Sequence, residues 1–287
     1  MKKISRRSFL AAAGLSVAAL ALTACGGSSA STASSVASSA ASSEAASTSA
    51  AAGELTSAAA GELTTVEAGK LTMATNAAFP PYEMTTDAGE FEGIDIETAQ
   101  AIADKLGLEL QIDDMDFDAA LLSVQQGKAD IVMAGVTVTD ERKAVMDFSD
   151  SYATGIQSII VPEGSDIASP DDLAGKKIGT QRGTTGYIYC SDDFGDENVV
   201  AYDDGLTAVQ ALNNGQVDAV VIDNAPAQEF IAANPGLKIL DTSYAEEDYA
   251  IGMAKNSPLE DAVNSVLEEL KADGTLQSIV DKYITAE

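Results

Sequence analysis

The sequence predicts an α/β protein in which short strands alternate with helices. From residue 71 onward, runs rich in β-forming residues are separated by segments whose apolar residues repeat at helical spacing, a pattern typical of mainly parallel sheets. The pattern restarts after Pro162, which predicts a second α/β unit. Of the 287 residues, 46% are hydrophobic, which is enough apolar material for one or two ordinary domains.

The first unit is predicted to contain strands at 71–75, 109–112 and 130–134 and helices at 95–106 and 116–125. The helix at 95–106 has the clearest pattern, because its apolar residues fall on one face and Gly107 follows it as a stop signal. We expect this face to lie in the core; it consists of Ile96, Ala99, Ile102, Ala103 and Leu106.

The second unit is predicted to contain strands at 177–181, 199–202, 217–223 and 237–240, with helices after Gly183 and at 206–213 and 225–233. A further strand at 249–254 and helices at 259–270 and 275–284 complete the chain. From the pattern alone, this last segment either extends the second unit or returns to the first.

The N-terminal segment is interpreted as a targeting signal. Residues 1–24 combine basic residues, an apolar stretch and small residues, and the sequence Leu22-Thr23-Ala24-Cys25 resembles a lipobox, in which Cys25 carries a diacylglycerol. An ordinary signal peptide with a chance cysteine, or a short membrane anchor, is the alternative, although the apolar run falls short of the roughly 20 residues that span a bilayer. Residues 5–10 also resemble a twin-arginine export motif, and residues 25–66, rich in Ser and Ala, are expected to form a disordered tether.

Composition excludes several kinds of function. The formal net charge of −29 disfavours binding to nucleic acid. The chain has no histidine and two distant cysteines, Cys25 and Cys190, so the commonest general base is absent and no thiolate zinc site can form. We therefore expect no cofactor and no metal.

Six short motifs, in this order and spacing, resemble one known family. They are TNAAFPPYE at 75–83, FEGIDIE at 91–97, AGVTVTDER at 134–142, DFS at 147–149, GTT at 183–185 and VDAVVID at 217–223. Residues 71–283 resemble a type II periplasmic binding protein of the polar amino-acid group, family 3, of ABC importers. The resemblance implies two lobes, each a mainly parallel sheet flanked by helices, joined by two hinge strands near 155–160 and 246–250. Lobe 1 is then 67–157 plus 248–287, and lobe 2 is 158–247.

The resemblance also implies residues for the charged ends of an amino acid. Arg142 corresponds to the arginine that binds the ligand carboxylate, a group that its planar fork suits, and Thr137 supplies a hydroxyl beside it. The carbonyl of Gly135 and the side chain of Asp223 correspond to acceptors for the ammonium group. Asp223 has the alternative role of capping the helix that follows it.

Further positions concern the carboxylate and the ligand side chain. Thr184 and Thr185 are expected to present backbone N–H groups at a helix start, although Thr184 alone could be an N-cap. Phe79 and Phe117 correspond to residues that flank the ligand side chain, but Phe117 could be simple core. Asn76 replaces the aspartate of many relatives and so argues for a neutral or amide ligand. An arginine facing the cleft, Arg182, would instead allow an acidic one.

These observations predict a monomeric, extracytoplasmic lipoprotein, anchored to the membrane at the cell surface or in the periplasm. We expect it to capture a polar or neutral amino acid by hinge closure, deliver it to an ABC permease and catalyse no reaction. Two alternatives remain open. One is an enzyme on the same fold, similar to cyclohexadienyl dehydratase, for which Glu83 or Asp95 would be the acid; the other is a binding protein that serves a sensor.

Overall fold

The computed structural model describes residues 63–284. The predicted targeting segment, Cys25 and almost all of the predicted tether lie outside these residues. In chain order the strands and helices are β1 (Lys70–Thr75), β2 (Ala78–Phe79), β3 (Glu83–Thr85), β4 (Phe91–Glu92), α1 (Ile94–Leu106), β5 (Glu109–Asp114), α2 (Phe117–Gln125), β6 (Ile131–Val132), α3 (Asp140–Lys143), β7 (Met146–Phe148), β8 (Ala153–Pro162), β9 (Ile178–Gln181), α4 (Thr185–Phe194), β10 (Val199–Tyr202), α5 (Gly205–Asn213), β11 (Ala219–Asp223), α6 (Asn224–Ala233), β12 (Leu237–Ile239), β13 (Ala245–Tyr249), β14 (Gly252–Ala254), α7 (Glu260–Ala272) and α8 (Thr275–Tyr283).

Within this part of the chain the strands form two main sheets, one in each lobe. In lobe 1 the order is β5-β1-β6-β14-β7, and in lobe 2 it is β10-β9-β11-β8-β12, with β13 paired to β8. Both sheets are mixed. The pairs made by β1 and by β9 are parallel, whereas those made by β14 and by β8 are antiparallel.

The antiparallel strands are those next to the crossings between the sheets. The chain leaves lobe 1 after β7 and enters lobe 2 at β8; it returns after β13 to β14. The first residues of β8 pair with β13, from Ala153 opposite Tyr249 to Gln157 opposite Ala245. We propose that this pair is the hinge, and the lobe boundaries given above remain a proposal.

One predicted strand is wrong. The apolar run at 249–254 belongs to two strands of different sheets, because Tyr249 ends β13, which pairs with β8, and Gly252 begins β14, which pairs with β6 and β7. The residues between them are fully buried, so hydrophobicity alone does not reveal that the backbone changes sheets here. A small sheet of β2, β3 and β4 was also not predicted, since its strands are two or three residues long.

The helices follow their sequence patterns closely. In α1 the predicted core face is buried except at Leu106, which is half-buried, and Gly107 ends the helix with a φ of 70°. The C-terminal helices α7 and α8 pack on α1, where Lys282 and Tyr283 both contact the Glu97 carboxylate. Helices α7 and α8 therefore pack against lobe 1. None of the helices in residues 63–284 has the length and apolar character needed to cross a membrane.

Candidate ligand-binding cleft

A cleft with an empty volume of about 440 Å³, part of it open to solvent, lies between the two lobes. Residues of both sheets and of the hinge strands line it. They are Asn76, Phe79, Glu83, Phe117, Ala134, Gly135, Thr137, Arg142, Gln157, Gln181, Thr184, Thr185, Val221, Ile222, Asp223 and Tyr249.

Arg142 contributes a buried guanidinium group to the cleft. Its Nη1 donates to the carbonyl of Thr137 at 2.8 Å, and its Nη2 donates to the carbonyl of Gly183, on the other lobe, at 3.1 Å. The guanidinium carbon lies 5.4 Å from the centre of the Phe117 ring. Burial lowers the pKa of Arg142, and the nearby Glu247 opposes this shift. Because a guanidinium has five N–H donors, Arg142 can also donate to an anionic group.

Asp223 contributes a buried carboxyl group at the start of α6. Its oxygens accept from the N–H of Ala225 at 3.0 Å and from the N–H of Ile156 at 2.7 Å. The residue therefore caps the helix and lines the cleft at once. Burial raises the pKa of Asp223 to about 6, and the two N–H donors partly oppose this. A cation in the cleft would favour the ionised form.

Two further carboxyl groups, those of Asp95 and Glu83, lie near Gly135 in lobe 1. Gly135 has a φ of 54°, and a Cβ there would lie 2.9 Å from the Phe79 ring, so a side chain would not fit. Its N–H donates to Asp95 Oδ2 at 3.0 Å. Glu83 is fully buried beside Asp95. Burial and the neighbouring Asp95 raise the pKa of Glu83 well above its ordinary range, and burial raises that of Asp95 to about 6.

The threonines of the cleft fall into two groups. Thr184 caps α4, accepting from the N–H of Tyr187 at 3.3 Å, and its hydroxyl donates to the carbonyl of Gln181 at 2.8 Å. Thr137 and Thr185 come from opposite lobes, with their hydroxyl oxygens 3.4 Å apart. Both contact Glu247 on the hinge strand β13.

Gln181 and Arg182 point in different directions. Gln181 is buried in the cleft and donates to Asn76 Oδ1 across the lobes at 2.8 Å. Arg182 is exposed and forms an ion pair with Asp203 at 3.3 Å, so it provides no basis for an acidic ligand. The cross-lobe bonds of Gln181 and Arg142 show that the structure is a closed form.

The structure brings the nine predicted ligand-binding residues to one cleft. Several cleft residues were missed as part of a binding site: Glu83, Gln157, Tyr249 and, behind the threonines, Glu247. The sequence carried no signal for Glu247, because residues 245–249 include three consecutive acids and only the structure shows that the middle one is buried. Within the described residues no group of acidic or thiol side chains could hold a metal ion.

The comparisons with known proteins agree with this architecture. Residues 71–286 match the family model of bacterial extracellular solute-binding proteins, family 3. The chain is 33% identical to the L-cystine-binding protein TcyJ of Escherichia coli (strain K12), over 73% of this chain and 80% of the relative. It is 32% identical to the arginine-binding extracellular protein ArtP of Bacillus subtilis (strain 168), over 75% and 86%.

Solved structures show the same two-lobed fold. An ancestral arginine-binding protein bound to arginine has a TM-score of 0.71 and 42% identity, covering 75% of this chain and 98% of that one. The arginine-, lysine-, histidine-binding protein ArtJ of Geobacillus stearothermophilus has a TM-score of 0.73 and 34% identity, covering 76% and 96%. These relatives are named as binding proteins, not as enzymes. The α/β, two-lobed fold and the family resemblance are therefore confirmed: the chain belongs to the bacterial extracellular solute-binding proteins of family 3.

Proposed function

We propose that this protein binds one polar amino acid between its lobes and presents it to an ABC-transporter permease. The observation that carries the proposal is that one cleft contains a buried guanidinium, Arg142, and a buried carboxyl group, Asp223. The carboxylate of an amino acid is opposite in charge to Arg142, and its ammonium group is opposite in charge to Asp223. Because unpaired buried charges are costly, a zwitterion that neutralises both residues favours the closed form.

Closure of the hinge couples ligand binding to a change from the open to the closed conformation. Arg142 belongs to lobe 1 and Asp223 to lobe 2, so a ligand that contacts both holds the lobes together. A ligand shifts an equilibrium between open and closed forms only through such differential contacts. The permease would then recognise the surface of the closed form.

Among polar amino acids, L-arginine is the ligand that the cleft favours most. The expectation of a neutral or amide ligand rested on Asn76, which is bonded to Gln181 and to the carbonyl of Met115. Glu83 also lines the cleft, where it lies fully buried beside Asp95. A guanidinium beside this carboxyl group would favour its ionised form and could donate two parallel hydrogen bonds to it. Several relatives carry arginine in their names.

Calorimetric titration of the purified protein with each proteinogenic amino acid and cystine tests this proposal. We expect tight binding of L-arginine and an affinity reduced by about 100-fold or more in Arg142→Ala, since that change removes one partner of a buried charge pair. The matched control is Arg182→Ala, whose exposed side chain lies outside the cleft and which should bind as the wild type does. Absence of binding across the whole panel would show that the protein does not bind amino acids.

We also propose that Cys25 carries the lipid that anchors the protein outside the cytoplasm. The support is the lipobox-like sequence Leu22-Thr23-Ala24-Cys25 after an apolar stretch. After expression of the full chain in a bacterial host, the wild type should fractionate with membranes and Cys25→Ala should not. Cys190→Ala is the matched control, because Cys190 is buried in α4, and it should remain with the membranes. Membrane association of Cys25→Ala would contradict the anchor.

A further inference from the structure

Glu247 is a buried acid on the hinge that contacts both lobes. It lies on β13 opposite Gly155 of β8 and is 7% exposed, whereas its neighbours Glu246 and Asp248 are exposed. The side chain therefore points from the hinge towards the floor of the cleft. None of the family motifs contains this residue.

One oxygen of Glu247 receives three hydrogen bonds. Oε2 accepts from Thr185 Oγ1 at 2.9 Å, from Gln157 Nε2 at 3.0 Å and from Thr137 Oγ1 at 3.1 Å. Thr137 belongs to lobe 1 and Thr185 begins α4 in lobe 2. Oε1 of the same carboxylate has no hydrogen bond within residues 63–284. The three donors thus converge on a single acceptor atom.

This arrangement fixes the direction of two hydroxyl protons. A threonine hydroxyl has one proton to donate and two lone pairs to accept with. Thr137 and Thr185 are 3.4 Å from each other but 3.1 Å and 2.9 Å from the carboxylate oxygen. Hydrogen bonds to an ionised acceptor are the stronger ones, so each hydroxyl donates to Glu247. Both hydroxyl oxygens can then act only as acceptors towards any other group in the cleft.

We propose that Glu247 is a positioning residue that makes the Thr137 and Thr185 hydroxyls acceptors for the ammonium group of the ligand. The inference rests on the proposed function, since it concerns the orientation of an amino acid in the same cleft. Thr137 and Thr185 line the cleft together with Asp223, so the ammonium group meets acceptors there and the ligand carboxylate is repelled. The ligand carboxylate instead accepts hydrogen bonds from the N–H groups of Arg142.

Replacement of Glu247 by Gln should release one of these protons. A glutamine carbonyl oxygen is uncharged, so it holds the three converging donors less strongly than an ionised carboxylate oxygen does. A threonine hydroxyl can then turn its proton towards the ammonium group. The same change removes a negative charge that interacts with Arg142 and Asp223. Both effects weaken binding of an ammonium group specifically.

The test compares L-arginine with L-argininic acid, in which a hydroxyl replaces the α-ammonium group, by calorimetry on wild type, Glu247→Gln and Glu246→Gln. We expect the wild type to prefer L-arginine, and Glu247→Gln to reduce this preference by about tenfold or more through weaker L-arginine binding, as expected for a lost charged hydrogen bond. Glu246→Gln neutralises the exposed neighbour on the same strand and should keep the wild-type preference.

Equal loss of both ligands in Glu247→Gln, or no change, would overturn the inference and leave the proposed function standing. If the wild type does not bind L-arginine, both the inference and the choice of L-arginine as ligand are wrong. The calorimetric titration with all proteinogenic amino acids then shows whether the protein binds any amino acid. Thr185→Val provides a second variant in case Glu247→Gln does not fold. It removes one acceptor and keeps the acid itself, and should likewise weaken binding of L-arginine more than that of L-argininic acid; equal weakening would again overturn the inference.

Discussion

Gln181 Nε2 donates a hydrogen bond of 2.8 Å to Asn76 Oδ1 and so joins the two lobes across the cleft. Both side chains are buried, and Asn76 is held in turn by a bond from its Nδ2 to the carbonyl of Met115 at 2.9 Å. An open form has to break the bond between the lobes. The contact therefore belongs to the closed state and contributes to its lifetime.

Replacement of Gln181 by Ala should shorten the lifetime of the closed, ligand-bound state. The bond is worth about 0.5–1.5 kcal/mol, which corresponds to a dissociation rate raised by roughly 2- to 10-fold. Stopped-flow measurement of ligand release gives this rate. Gln210→Ala, at an exposed position on α5, is the control and should not change it. An unaltered rate in Gln181→Ala would show that the contact does not hold the lobes together.

Replacement of Glu83 by Gln should change which amino acid binds best. A buried amide cannot neutralise a guanidinium, so the affinity for L-arginine is expected to fall by about 10- to 100-fold, while that for L-glutamine falls much less. Competition binding of the two ligands measures this selectivity. Glu90→Gln, at an exposed position outside the cleft, should preserve it. A parallel loss of both ligands would indicate that Glu83 acts on the fold and not on the ligand side chain.

Ligand affinity should depend on pH through Asp223. The pKa of this carboxyl group is about 6 in the ligand-free protein because of burial, and a bound ammonium group favours the ionised form. Affinity should therefore decrease as pH falls below about 6, by up to tenfold per pH unit, and binding near pH 6 should release protons. Calorimetry in two buffers of different ionisation enthalpy measures the release. Asp223→Asn should reduce it, and constant affinity from pH 5 to 8 would contradict this assignment.

Stability of the ligand-free protein should fall as pH rises from about 4 to 6. Asp95 and Asp223 have pKa values of about 6 in the fold against an ordinary value of 3.8. Between these values the folded protein keeps protons that the unfolded chain has released, so raising the pH favours unfolding, by on the order of 3 kcal/mol for each group. The chain has no histidine, so no imidazole titrates in this window.

Urea denaturation at pH 5 and pH 7 measures this effect. Asp223→Asn should show a smaller loss of stability between the two pH values than the wild type. Asp248→Asn, an exposed acid on the same hinge strand β13, should behave as the wild type. Greater wild-type stability at pH 7 than at pH 5 would contradict the raised pKa values.

Replacement of Gly155 by Ala should destabilise the hinge. A Cβ at this position would lie 2.6 Å from both Cε1 and Oη of Tyr249, which is 1% exposed and cannot move away freely. Overpacking of this kind typically costs about 1–3 kcal/mol, measured as a lowered midpoint of urea unfolding. Gly164→Ala is the matched control, because a Cβ there meets no atom within 4 Å. Equal stability of the two variants would show that the hinge can accommodate the methyl group.

The sequence by itself determined the fold class and much of the cleft. Helical and strand periodicities act over neighbouring residues. They therefore predicted α1 with its core face and the presence of α7, because one apolar stripe suffices to define a helix face. The family motifs placed Arg142, Asp223 and the threonines at one site, and the structure brings them together. Thr184 and Asp223 also cap helices, so the cap and cleft interpretations hold at the same time.

Only the tertiary structure decided which side chains face one another across the cleft. Gln181 and Arg182 are adjacent in sequence, yet one is buried against Asn76 and the other is exposed, because successive side chains at a strand end point to opposite faces. Glu247 reaches Thr137 and Thr185 over 110 and 62 residues of sequence. Contacts of such separation depend on how the hinge strands pair and how the lobes close, and no local pattern encodes these two features.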